Sequence, residues 1–166
     1  MMFTPMIISG LTVDPVTNNP IVILKEKDGE RTLPIWIGLL EATAIASELE
    51  GIQFSRPMTH DLLKSIMETI NVQVSKIEVC DLRNNTYYAL IHINHGGKEI
   101  SIDARPSDAL ALSLRVGAPI YVAEEVITKS AQIDVQAEPE DTSEQGKKWQ
   151  EILEKLNPED FGKYKM

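Results

Sequence analysis

The densest chemistry in the chain lies in six residues, Asp103-Ala104-Arg105-Pro106-Ser107-Asp108. Asp103 closes a run of strand-like alternation. Pro106 suits the first position of a helix, where its missing N–H costs no hydrogen bond. Ser107 and Asp108 then fall in the first helical turn, where unpaired backbone N–H groups and the positive end of the helix dipole favour anions. Two carboxylates, one guanidinium and a helix start at a single corner suit three uses. Oxygen ligands would hold a divalent metal. Arg105 and the helix amides would grip a phosphate. An Asp–Arg pair would simply brace the junction between strand and helix.

Glu41 stands at the start of an earlier helix, 67 positions before Asp108. If the two helix starts converge, Glu41, Asp103 and Asp108 form a three-carboxylate cluster of the kind used in metal-assisted phosphodiester hydrolysis. Arg56-Pro57-Met58-Thr59-His60-Asp61 is the second candidate. His60 suits a base or a ligand, the roles an imidazole side chain commonly takes; Arg56 suits a phosphate contact. The bland alternative is that His60 and Asp61 only cap and solvate a first turn. Among the remaining candidates, His92 and His95 flank a hairpin turn and read as strand and loop residues. Cys80, the single cysteine, lies in an alternating run and reads as a small half-core residue.

These groups need a frame, and hydrophobic periodicity supplies one. Strands are expected over Met6–Asp14, Ile21–Glu26 and Thr32–Ile37, with a tight hairpin at Asp28-Gly29. A helix follows over Leu39–Glu50, with Ala42, Ile45, Ala46 and Leu49 on one face. A second helix runs His60–Ile70 behind Thr59 as its cap. Val72–Leu82, Tyr87–Asn94 and Lys98–Ala104 alternate as strands. Pro106–Val116 is a helix apolar almost all round, which must be buried in its own domain or covered by a partner. Ile120–Val122 is a short strand and Ala123–Ser130 a helical turn. The order hairpin, strand, helix, glycine occurs twice. The expected class is therefore α+β, with mostly antiparallel sheets, an internally duplicated hairpin–strand–helix unit, and two sheets packed with the helices.

Residues 1–130 form the expected domain. Residues 131–146 are polar and acidic, a linker composition. Residues 147–166 carry Trp149, Ile152, Leu153 and Leu156 at helical spacing, a short amphipathic helix and tail. Net charge is −9, and no basic stripe marks a body built to hold nucleic acid. Any such contact would be local, metal-bridged, weak, or built from arginines gathered by folding. The sequence contains no phosphate-cradling glycine loop, no paired-cysteine or histidine zinc motif and no nucleophile elbow. Without a signal-like start or an apolar span, and with one cysteine, the expectation is a cytoplasmic protein off the membrane.

Three ordered segments together resemble the bifunctional nuclease domain family. They are Leu33-Pro34-Ile35-Trp36-Ile37-Gly38 with Glu41-Ala42, Arg56 to Asp61, and Asp103 to Ala109. The resemblance implies an α+β, mostly antiparallel fold, a homo-oligomer (a dimer favoured) and hydrolysis of phosphodiester bonds in DNA or RNA. It directs attention to Glu41, Arg56, His60, Asp61, Asp103, Arg105, Ser107 and Asp108. On that basis Asp103, Asp108 and Glu41 are expected to hold Mg²⁺ or Mn²⁺, and Arg56, Arg105 and Ser107 to bind substrate. His60 is expected to act as the general base. The alternative is a non-enzymatic oligomeric binding or regulatory module whose Asp103–Asp108 corner is a brace or an anion site.

Overall fold

The structure is a computed structural model that describes residues 1–132. The strands are β1 (Phe3–Val13), β2 (Pro20–Glu26), β3 (Thr32–Trp36), β4 (Val72–Arg83), β5 (Thr86–His95), β6 (Lys98–Ala104) and β7 (Ile120–Ala123). The helices are α1 (Leu39–Leu49), α2 (Thr59–Thr69), α3 (Pro106–Val116) and α4 (Glu124–Ser130). The expected linker, beyond its first two residues, and the helix near Trp149 lie outside the described residues.

One seven-stranded sheet, not two packed sheets, carries the fold, in the order β3-β2-β1-β7-β4-β5-β6. Every pairing is antiparallel except β4 with β7. The expectation of two sheets fails because β7 slots between β1 and β4 and joins the halves edge to edge. Each half is a meander followed by a helix: β1-β2-β3-α1 and β4-β5-β6-α3. That shared order is topology; a duplication of the unit does not follow from it.

The sheet is strongly curled. Five strand spacings separate β3 from β5, roughly 24 Å in a flat sheet. Yet Tyr87 on β5 donates its hydroxyl to the Pro34 carbonyl on β3 at 3.1 Å. Curling wraps the sheet around Val22, Leu24, Leu33, Ile35, Ile77, Val79 and Val122, all at most 2% exposed. Alternation puts these residues on one face of their strands. α3 lies between α1 and α2, over β4 and β5. Its apolar girth is thereby explained: Ala109, Leu110, Ala111 and Leu112 are buried within the same domain. No partner is needed to cover α3, so that argument for an oligomer lapses.

Thr59 is the first residue of α2 rather than its cap; Met58 precedes the helix. The reason is Asp61, whose Oδ2 accepts the Met58 N–H at 3.0 Å and so performs the capping from inside the first turn. α3 ends at Gly117, whose positive φ of 71° closes the helix with a left-handed residue.

Candidate active site

Three helices begin at one corner, and each carries an acid at its third position: Glu41 in α1, Asp61 in α2 and Asp108 in α3. The position is favoured by the dipole. Here it also presents three carboxylates to two arginines. Arg105 Nη1 donates to Glu41 Oε1 at 2.7 Å, and Arg105 Nε donates to Asp108 Oδ2 at 2.9 Å. His60 Nε2 lies 2.9 Å from Asp108 Oδ1. A continuous chain therefore runs Glu41–Arg105–Asp108–His60, joining α1, α3 and α2.

Burial grades along this chain. The His60 side chain is 12% exposed and that of Arg105 58%. Burial pushes the Asp108 carboxyl up, but hydrogen bonds from Arg105 and His60 outweigh it and hold the carboxyl below its ordinary range. The hydrogen bond to Asp108 lifts the Arg105 guanidinium further above its usual value; desolvation opposes the rise, and the bond to Glu41 adds to it. Asp108 is thus a fixed anion. A fixed anion on Nε2 favours the histidine tautomer with its proton there and leaves Nδ1 as the acceptor. Nδ1 has no partner among the described residues.

Gly38 makes the Glu41 arm of this chain possible. Its φ of −74° is open to any residue, so backbone freedom is not its role. A Cβ at Gly38 would collide with Glu41 Oε2. A side chain at this position would make the carboxylate shift from its place over the start of α1.

Beneath the corner sits Arg115, which sequence reasoning did not single out. Its side chain is 3% exposed. Nε donates to Asp61 Oδ1 at 2.8 Å, Nη1 to the Ala111 carbonyl at 2.8 Å and Nη2 to the Ala44 carbonyl at 3.0 Å. One buried cation thus ties the start of α2 and the middle of α1 to α3. The available signal was its place as the one basic residue of an otherwise apolar helix, seven positions after Asp108.

The other expected site residues are placed differently. Asp103 does not join the corner. It is exposed on β6 opposite Leu90, and alternation with Ala104, which packs on the core, turns it to the opposite face of the sheet. Ser107 is buried in the first turn of α3 without a side-chain hydrogen bond among the described residues. Arg56 is exposed in the loop before α2, with no ion pair among the described residues.

The donor set does not fit a divalent metal as it stands. Among the described residues no group of three or more His, Cys, Asp or Glu side chains is placed to hold one. Both Asp108 oxygens and Glu41 Oε1 already face Arg105 or His60, and Asp103 is turned away. A guanidinium lies between the two carboxylates that a metal would bridge.

An α+β fold on one curled sheet, with three helix starts gathered at one corner of paired acids and arginines, defines the class. The family model of the bifunctional nuclease domain matches residues 22–136, and the chain belongs to that family. An uncharacterized protein of Mycobacterium tuberculosis is 36% identical over 157 residues, covering 92% of this chain and 94% of that protein. Bifunctional nuclease 1 of Oryza sativa subsp. japonica is 26% identical over 112 residues, 66% of this chain and 34% of the plant protein. Bifunctional nuclease 2 of Arabidopsis thaliana is 26% identical over 105 residues, 61% of this chain and 32% of that protein. The chain therefore spans about a third of these plant relatives.

Proposed function

We infer that this protein is a nuclease that hydrolyses phosphodiester bonds of DNA, RNA or both at the Glu41–Arg105–Asp108–His60 corner. The observation that carries the reading is the Asp108–His60 contact at 2.9 Å beside an exposed guanidinium, in a chain of this family. Asp108 orients the imidazole. His60 Nδ1 takes a proton from the attacking water or ribose hydroxyl. Arg105 neutralises charge developing on the phosphate, and Arg56 adds a second cation from the neighbouring loop. Helix N-termini favour the same anion. A net charge of −9 keeps substrate contact local to this corner.

No step here runs through a metal. Mg²⁺ or Mn²⁺ at Glu41 and Asp108 would first have to displace Arg105. The experiment is hydrolysis of single- and double-stranded DNA and RNA by purified protein, in EDTA and with each metal. Cleavage abolished by His60→Ala and Arg105→Ala supports the reading. Cleavage that survives both variants points to another site or a contaminant.

A second reading has its own observation. Arg105 already satisfies Glu41 and Asp108, the geometry of a brace between α1 and α3. In that case the corner serves a non-enzymatic oligomeric binding module. Arg105→Ala would then lower thermal stability in a protein that cleaves nothing.

A further inference from the structure

We propose that two copies of this chain associate through β6, antiparallel about a two-fold axis at Ile100, with α2 flanking the joint. β6 ends the sheet and pairs only with β5 among the described residues. The two-residue turn Gly96-Gly97 makes His95 and Lys98 the hydrogen-bonded pair of a hairpin. Alternation then directs the backbone groups of Ile100 and Ile102 at β5 and those of Glu99, Ser101 and Asp103 outward. The outward row is a template for another extended strand.

The flanking surface is apolar. Ile100 and Ile102 are 38% and 44% exposed on the edge. α2 buries none of its residues, and Leu62, Ile66 and Ile70 are 52%, 49% and 54% exposed. α2 leads through Asn71 into β4, where Val74 pairs with Ile93, which pairs in turn with Ile100. The helix stripe and the edge isoleucines therefore share one corner of the sheet. An exposed apolar group of this size beside an open edge marks a contact surface.

The occupant is a second copy for three reasons. An edge strand is completed by a strand, and β6 matches itself. With Ile100 on the axis, Ile100 meets Ile100, Lys98 meets Ile102 and Glu99 meets Ser101 of the second copy. A shift that puts Ser101 on the axis would set Glu99 against Asp103, like charges directly opposed. The far edge, β3, is a poorer mate because Pro34 has no N–H to give. A β6–β6 joint closes after two copies, whereas β6 on β3 would propagate.

The test uses the full chain. Light scattering is expected to give twice the 18.5 kDa chain mass. Ile100→Lys, at an exposed position, is expected to give the single-chain mass with an unchanged far-ultraviolet spectrum. Ile100→Cys in a Cys80→Ser background is expected to form an interchain disulfide on mild oxidation, because non-hydrogen-bonded pairs bring Cβ atoms close. A single-chain mass for the unmodified protein overturns the proposal. So does a dimer that survives Ile100→Lys and yields no Ile100→Cys disulfide. The nuclease reading stands or falls separately, since none of Leu62, Ile66, Ile70, Ile100 and Ile102 belongs to its machinery.

Discussion

Arg105 reaches Glu41 at 2.7 Å although 64 positions separate them, and Gly38 is the residue that lets Glu41 turn back to meet it. Gly38→Ala should therefore act through Glu41 rather than through the backbone. The expected loss is modest, under about 1 kcal/mol, because Arg105 is largely exposed and such pairs are screened. In a double-mutant cycle by urea denaturation, Gly38→Ala should add almost nothing once Glu41 is already Ala. Additive effects of the two changes would show that the glycine serves something else.

Arg115 should matter far more to stability. It is buried and holds Asp61, Ala44 and Ala111 together. Arg115→Leu leaves the Asp61 carboxylate without its buried cation and takes a second hydrogen bond from two helix carbonyls, a loss on the order of 3 kcal/mol. Equilibrium denaturation measures it. A cost below ~0.5 kcal/mol, the range of ordinary surface substitutions, would mean the helix starts are held by apolar packing alone.

Acid should weaken the protein through named carboxylates. Burial raises Glu78, but Lys76 and His92 outweigh it, so Glu78, like Asp108, titrates below its ordinary range when folded. A depressed carboxylate contributes stability that is full above its unfolded value and lost as pH falls through its folded value. The denaturation midpoint should thus hold between neutrality and about pH 5 and fall below about pH 4. Glu78→Gln and Asp108→Asn should each flatten that fall, at the cost of lower stability at neutral pH. An acid transition unchanged in both variants would assign it to other groups.

Much of the frame was legible from periodicity. β6 and α3 have the expected bounds, and the other elements shift by a few residues at their ends. The curl was not legible, because it depends on β7 inserting between β1 and β4 and on Tyr87 meeting Pro34 across the sheet. Glu41 and Asp108 were recognisable as acids in first helical turns, and their convergence through Arg105 is a tertiary fact. Asp103 misled because adjacency in sequence suggested adjacency in space, while strand alternation puts it on the other face. His60 was visible as a candidate, but nothing local pairs it with Asp108, 48 positions away. Arg115 went unnoticed because one basic residue in the last turn of a mostly apolar helix reads as an exception rather than an anchor.

The central claim is that Asp108 makes His60 a base. Its most direct test is nucleic-acid cleavage by Asp108→Asn against the unaltered chain, in preparations matched by circular dichroism. Asparagine keeps the shape and removes the fixed anion. The account predicts a rate lower by on the order of 10²–10⁴ with the fold intact, the range general-base catalysis supplies. Equal rates in the two proteins would contradict it.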